Sequence, residues 1–261
     1  MVSSDGYFAP DSMAWRLHAD PTALLGGMRA LLMQALEPRA MAGVSAFSSF
    51  RDDPWARLAR TSQFVVTMTY GTREEADGAV AVVREIHSRV RGVAAETGQS
   101  FSADDPELLL YVHTTLVHSI VTGYRRFAGP LDDHAADQYV AEMTPFATLL
   151  GVPEPDVPQS MRELRDYFTT MRPKLRITDG AREGLGVILA PPMPLPLRPL
   201  WLLPALGAVS LLPGWARSMY GIPWVPPATT AVRAALFPLT RALNIVRPEP
   251  PALRAARARV A

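Results

Sequence analysis

His87 stands on the apolar side of a predicted helix, where its imidazole could serve as a metal ligand. Val80, Val83 and Val90 recur with it at helical spacing, so the periodicity turns the ring toward the interior. A lone buried histidine is either a hydrogen-bonded core residue or a ligand, and the spacing leaves both open. Arg84 lies one turn earlier on nearly the same side. Since a b-type haem needs one imidazole for iron and cations for two propionates, this pair favours a haem site.

Two further groups of polar residues lie on predicted helices. Arg57, Arg60 and Thr61 fall at positions i, i+3 and i+4, so they share one helix face, which is either a solvated edge or part of a site. His113 flanks the buried stripe of a later helix. His118, five residues on, points about 140° away from it, given ~100° per residue. We expect His118 to be exposed or hydrogen-bonded elsewhere.

Composition removes several other kinds of chemistry. The 261 residues include no Cys, which excludes disulfides, iron–sulfur clusters and thiolate ligands. Lys174 is the only lysine, and a net charge of +1 gives no general field for nucleic acid. The sequence contains no dinucleotide-binding, Walker, zinc-protease or nucleophile-elbow motif. The run His18-Ala19-Asp20 could seed an iron triad, but Asp20 before Pro21 is better explained as a helix cap.

The elements that must position these residues are predicted to be helices. Asp53-Pro54 is a helix start, and Thr72 with Glu75 forms a capping box that opens the helix of His87, which we expect to end at Gly92. Further helices are predicted from the Asp104-Asp105-Pro106 start, over residues 132–150 and from Pro158 to Met171. Alternating strand patterns are scarce. The predicted fold class is all-α, a single helical domain enclosing a haem pocket.

The last third of the chain is rich in proline and apolar residues. Residues 199–216 carry no charge but contain Pro204 and Pro213, so they are predicted as buried core helices or as a lid or interfacial patch. We expect residues 1–245 to form the domain and residues 246–261 a loose, solvated Arg/Pro-rich tail. The N-terminus does not have the pattern of a secretory signal, so the expected location is cytoplasmic, with peripheral membrane contact as a second option.

Several runs, taken in order and spacing, resemble the bacterial family that includes the MpaB-type oxygenases and the rubber oxygenases. The resemblance extends roughly from Asp11 to Trp224. Its runs are Gly26 to Pro38, Asp53 to Thr61, Phe64 to Gly71, Val83 to His87, His113 to Val117, Tyr124 to Phe127 and Leu211 to Arg217.

The resemblance implies an all-helical haem b protein that carries out oxidation with O2 or peroxide. Arg84-x-x-His87 is similar to the Arg-x-x-His pair that supplies the axial histidine in rubber oxygenases. Arg57-x-x-Arg60-Thr61 matches their Arg-x-x-Lys-Thr set, with Arg60 in place of the lysine. Guanidinium stays protonated and cannot donate a lone pair to iron, so Arg60 cannot replace the lysine as a sixth ligand. The family's glutamate base has no match near residues 40–43.

These observations lead to one prediction with two alternatives. The predicted function is a haem b-dependent oxidoreductase for a small hydrophobic substrate such as an isoprenoid or polyketide, with an electron donor as a further candidate partner. His87 is the predicted axial ligand, with Arg84 and Arg57 as haem-anchoring residues and Arg60, Thr61 and His113 as the catalytic or distal group. The alternatives are a non-catalytic haem-binding protein and a helical protein that binds lipophilic ligands without haem.

Overall fold

The computed structural model describes residues 5–223 and 226–260, and this part of the chain is almost entirely helical. Its α-helices are α1 (Met13–Ala19), α2 (Thr22–Gln34), α3 (Pro38–Phe47), α4 (Pro54–Tyr70), α5 (Arg73–Arg89), α6 (Pro106–Phe127), α7 (Asp133–Glu142), α8 (Thr144–Thr148), α9 (Met161–Met171), α10 (Asp179–Leu189), α11 (Arg198–Ser210), α12 (Gly214–Met219), α13 (Pro226–Val246) and α14 (Pro251–Val260). Two three-residue strands, β1 (Arg91–Val93) and β2 (Ser100–Ser102), pair antiparallel with Gly92 opposite Phe101. The predicted all-α class is confirmed.

Helices α2 and α6 form the central packing unit of the fold. A Cβ on Gly26 of α2 would lie 2.9 Å from the carbonyl oxygen of Ser119 in α6, so the two backbones approach closely only because glycine stands there. Helices α11 and α13 pack against this pair, and α1, α7, α8 and α9 pack around α6. The result is a rigid centre from which the α4–α5 hairpin extends.

The predicted helix starts are largely confirmed. Asp53 accepts a hydrogen bond from the Ala56 amide at 3.0 Å, and the capping box between Thr72 and Glu75 is present at the start of α5. Helix α6 begins at Pro106 with Asp105 as its cap. Each cap satisfies amide donors that have no partner within the first helical turn.

Three boundaries differ from the prediction. Helix α5 ends at Arg89, and Gly92 lies instead in the first strand of the hairpin. The segment predicted as one helix over residues 132–150 is divided at Met143 into α7 and α8, where Pro145 follows. Helix α9 starts after Ser160, whose hydroxyl accepts from the Glu163 amide, and not at Pro158.

The proline-rich last third is partly buried and partly exposed. The second half of α11 is buried, from Ala205 through Ser210, whereas residues 194–200 before and within its first turn are exposed. In the described part of the chain, no helix combines the length and apolar character needed to cross a bilayer.

The C-terminal segment is packed, so the expectation of a loose, solvated tail is wrong. Helix α14 packs on α4, and Leu253 and Ala256 are buried in the same core cluster as Tyr70. Arg259 donates a hydrogen bond to the Tyr70 carbonyl at 2.5 Å and pairs with Asp5. Apolar side chains every three residues along an otherwise arginine-rich segment explain this docking.

Candidate functional site

The predicted site residues on α4 and α5 lie at the open end of a helical hairpin. Gly71 and Thr72 join the two helices, which pack against each other. With a rise of ~1.5 Å per residue, Arg57 and His87 both lie about 20 Å from this turn along their helices. The antiparallel arrangement therefore brings the two positions to the same end of the hairpin.

This open end carries apolar side chains that the protein does not cover. The buried residues of α4 are Met68, Thr69 and Tyr70, all in its last turn, and those of α5 are Ala76 and Val80, in its first two turns. Nearer the open end, Leu58 and Val83 are only half-buried. Phe64 and Val65, about midway along α4, pack against the buried core, and the Phe64 ring lies 5.9 Å from that of Phe146. An apolar surface that lies between burial and full exposure is typical of a ligand site.

His87 is half-buried at this end of α5, and its ring has no hydrogen bond within the described ranges. Burial lowers the pKa of His87, against a smaller opposing effect of the Asp104 carboxylate. The imidazole is therefore neutral at physiological pH, with a nitrogen lone pair free to bind a metal. Its neighbour Ile86, although apolar, is 55% exposed and does not belong to the inward face.

Arg57, Arg60 and Thr61 lie together on the first two turns of α4. Burial, with a further contribution from the nearby positive charge of Arg60, lowers the pKa of Arg57. Arg60 is exposed and donates a hydrogen bond to the Ser49 hydroxyl at 3.3 Å. The Thr61 hydroxyl donates to the Arg57 carbonyl at 3.0 Å, a bond that must be given up before this proton can reach a ligand.

Arg84 is exposed, and its guanidinium donates a hydrogen bond to the Leu149 carbonyl at 3.3 Å at the end of α8. Neither Arg84 nor the arginines at 57 and 60 form an ion pair with a carboxylate of the described residues. These three arginines thus have no carboxylate partner in that part of the protein.

His113 is not brought against α5 by direct packing of the two helices. It lies on α6, which packs mainly on α2, and its side chain is buried, with 7% exposure. Burial lowers the pKa of His113 to about 4, and its ring makes no hydrogen bond with the described residues. It is a second neutral imidazole without a partner, and its position opposite His87 stays a prediction.

The remaining buried histidines have structural partners. His18 contacts the hydroxyls of Thr69 and Tyr139, at 2.8 Å each, through its two ring nitrogens. Asp20 accepts bonds from the amide and hydroxyl of Thr22, which supports the cap interpretation over the iron triad. No group of three potential ligands among His, Asp and Glu surrounds a metal-sized space in residues 5–223 and 226–260.

His118 is half-buried and not solvent-exposed. Its ring meets Phe168 edge-on, with centroids 5.2 Å apart, and Nδ1 lies 3.4 Å from the Thr122 hydroxyl. Burial, with the positive charge of Arg29, lowers the pKa of His118 to about 3. The expected divergence from the direction of His113 agrees with these contacts.

Arg29 is a buried cation that the sequence analysis did not single out. It is 2% exposed, and its guanidinium donates to the Leu211 carbonyl at 2.8 Å and to the Ser119 hydroxyl at 2.5 Å. Burial lowers its pKa to about 10. The sequence does contain a signal for this residue, because Arg29 is the single charged residue in the otherwise largely apolar helix α2. Its bonds connect α2 with α6 and with the turn after α11.

Comparison with known proteins places the chain in a family. Residues 15–244 match the model of the family described as "ER-bound oxygenase mpaB/B'/Rubber oxygenase, catalytic domain". The uncharacterized proteins Mb2261 of Mycobacterium bovis and Rv2237 of Mycobacterium tuberculosis are each 30% identical to the chain over 146 residues, which is 56% of this chain. The solved structure of latex clearing protein in its closed state superposes with a TM-score of 0.64 at 16% identity, covering 94% of this chain and 72% of that one.

The described residues form a helical domain. This chain belongs to the MpaB and rubber oxygenase catalytic-domain family. The likeness to latex clearing protein shows the shared fold. The match to the two mycobacterial proteins spans 57% of their length, so their whole-protein activities do not transfer directly.

The residues at the open end of the hairpin fit a haem, the cofactor that the family implies. A half-buried imidazole without a hydrogen bond can supply an axial nitrogen, and unpaired arginines can meet two propionates. The uncovered apolar side chains of α4 and α5 offer a surface for a porphyrin ring. The donor set, with one accessible histidine and no cysteine, suits a b-type haem better than a cluster or a multi-ligand metal site.

Proposed function

We propose that this chain is a haem b-dependent oxygenase that oxidises a small hydrophobic molecule, such as an isoprenoid or polyketide. The observation that carries the proposal is the imidazole of His87, which is half-buried, neutral and without a hydrogen-bond partner in the described residues. Membership of an oxygenase family supports the reaction class. Under this proposal His87 is the axial iron ligand.

The arginines around His87 would hold the cofactor's acidic groups. Arg57 is the strongest candidate, because burial lowers its pKa and it has no carboxylate partner in the described part of the protein. A propionate beside it would supply the missing negative charge in a poorly solvated position. Arg84 would contribute after exchanging its bond to the Leu149 carbonyl for one to the cofactor.

The other side of the site would bind the oxidant and substrate. When bound, haem iron would supply the redox chemistry that activates O2 or peroxide. Arg60 cannot ligate iron, since its guanidinium has no available lone pair, so its charge would orient an anionic or polar group. Thr61 and His113 would serve as hydrogen-bond donors or acceptors there, with His113 neutral above about pH 4.

The substrate class follows from the lining of the hairpin. Leu58 and Val83 present half-buried apolar surface at the open end of the hairpin. A hydrophobic molecule would gain from covering this surface.

A spectroscopic experiment tests haem binding before any activity is sought. The protein is expressed with ample haem, and the Soret band and the haem content per chain are measured for wild type, His87→Ala and His134→Ala. His134 is an exposed histidine on α7 and serves as the matched control. We expect about one haem per chain in wild type and control and a strong loss in His87→Ala.

One kind of result would overturn the proposal, and another would limit it to haem binding without catalysis. A haem-free wild-type protein, or a His87→Ala variant with an unchanged spectrum, removes His87 as ligand and favours lipophilic binding without haem. If haem binds, O2 consumption is measured with terpenoid and polyketide panels. Haem binding without turnover across these panels and a supplied reductant favours a non-catalytic haem protein.

A further inference from the structure

An exposed apolar loop precedes and begins α11. Residues 194–202, here called the apolar loop, carry four leucines within eight positions. Leu195 and Leu200 are 71% and 73% exposed, and Leu197 and Leu202 are 46% and 47% exposed. The proline and arginine residues between them are exposed as well. Single exposed leucines are ordinary, but four in one short projecting segment mark an interaction surface.

The apolar loop is held at its base by two tryptophans. The rings of Trp55 on α4 and Trp201 on α11 meet edge-on with centroids 5.0 Å apart. The Trp55 indole donates to the Pro192 carbonyl at 2.7 Å, and that of Trp201 to the Ile188 carbonyl at 2.8 Å. The first bond holds the chain just before the apolar loop, and the second holds Trp201 near its end. Because the backbone is anchored at both places, the leucines between them stay outside the core.

The stretch of chain that contains the apolar loop carries charge of a single sign. Between Glu183 and Glu249 the sequence has no acidic residue and no lysine but carries five arginines, at positions 198, 217, 233, 241 and 247. Arg198 lies within the loop, and it is exposed. A region of this length without one carboxylate contrasts with the near balance of 26 basic and 25 acidic residues over the whole chain.

We propose that the apolar loop docks on the surface of an anionic lipid bilayer. Its leucines would enter the boundary between headgroups and acyl chains, while Arg198 stays with the anionic headgroups. A bilayer accepts side chains that project in several directions from a proline-stiffened segment, whereas a protein partner would need a matching groove. The absence of any acidic residue from 184 to 248 complements a negative lipid surface.

This inference goes beyond the proposed function and does not depend on haem. It does carry a geometric consequence for that function. Trp55 anchors the loop two residues before Arg57, so docking would turn the start of α4 toward the membrane. Hydrophobic molecules dissolved in the bilayer would then meet the hairpin from that side.

Vesicle flotation of the full chain tests the proposal. Wild-type protein is mixed with vesicles of phosphatidylcholine alone, or of phosphatidylcholine with phosphatidylglycerol, at low and high NaCl. The loop variant is Leu195→Ser/Leu200→Ser, and the matched control is Leu24→Ser/Val93→Ser, which alters two exposed apolar residues elsewhere. A third variant, Arg198→Glu, tests the charge. Circular dichroism checks that all variants keep their helix content.

We expect wild type and control to float with anionic vesicles and less so at high salt. The loop variant should lose about tenfold or more in partitioning, since two leucines that would enter the bilayer are replaced by polar side chains. Arg198→Glu should weaken binding to anionic vesicles selectively. Failure of wild type to float, equal flotation of loop and control variants, or a loop-dependent dimer without lipid binding would each overturn the proposal.

Discussion

A methyl group placed on Gly123 of α6 would lie 3.5 Å from the Cα of Gly26 on α2 and 3.2 Å from the Thr22 carbonyl oxygen. The two central helices therefore meet through glycines, backbone against backbone. This contact sets the separation of α2 and α6, around which the other helices pack. It is the most direct link between the sequence and the rigid centre of the fold.

Replacing one of these glycines tests the contact. Gly26→Ala would place a methyl 2.9 Å from the Ser119 carbonyl oxygen and 3.0 Å from the Cα of Ile120, both of which are backbone atoms. We expect the free energy of unfolding to fall by about 2 kcal/mol, because the helices must separate. Gly27→Ala is the control, since its added Cβ meets nothing within 4 Å. Equal urea midpoints for the two variants would contradict the prediction.

Arg29 should stabilise the same centre through its hydrogen bonds. Arg29→Ala leaves the Ser119 hydroxyl and the Leu211 carbonyl without this donor and opens a cavity. We expect a loss of about 3 kcal/mol in the free energy of unfolding. Arg182→Ala, which removes an exposed arginine 3.9 Å from Asp179, should change stability by less than about 0.5 kcal/mol. Denaturant titration measures both, and similar losses would refute a special role for Arg29.

The helical architecture was predictable because its signals are local. Asp53 before Pro54 and the Thr72–Glu75 box each fix a helix start within a few residues, and the structure has both. The division at Met143 and the short hairpin at Gly92 were missed. Both depend on how the segment packs against distant helices, which periodicity along one segment does not encode.

The candidate site was predictable in residue type but only partly in arrangement. Spacing placed His87 inward, and it is half-buried. Arg84 was placed beside His87, but its guanidinium reaches the Leu149 carbonyl on another helix. Such partners come from the tertiary fold, and no spacing rule within α5 could have named Leu149.

Arg57 should affect haem affinity and stability in opposite directions. Without a cofactor, its poorly solvated charge beside Arg60 has no carboxylate partner in the described residues. Arg57→Leu should therefore leave the haem-free protein equally or more stable, but weaken haem binding about tenfold through loss of a propionate partner. Arg60→Leu, at an exposed position, should weaken it less. Haemin titration and thermal melts of haem-free protein measure the two effects, and lower stability without lower affinity would contradict the assignment.

The haem-free protein should lose stability as the pH falls from about 6.5 to about 4. Burial lowers the pKa of His18 and of His113 from 6.5 to about 4 in each case. Unfolded chains bind these protons in that window and the folded protein does not, so stability rises with pH there. Each imidazole contributes a slope of up to about 1.4 kcal/mol per pH unit.

His113→Leu checks the origin of this slope. The ring makes no hydrogen bond with the described residues, so its replacement should flatten the dependence without a large loss of stability at neutral pH. His134→Ala, at an exposed position, should leave the profile unchanged. Urea denaturation across the window supplies the slopes, and identical profiles for wild type and His113→Leu would reject the interpretation.

Helix α14 packs on the last turn of α4 and holds the closed end of the α4–α5 hairpin in place. Leu253 and Ala256 are buried there, and Arg259 donates a hydrogen bond to the carbonyl of Tyr70, next to Gly71. The opposite ends of α4 and α5, which bear Arg57 and His87, have no fully buried side chains. Amide exchange should therefore be faster in the first turns of α4 and the last turns of α5 than beside Gly71.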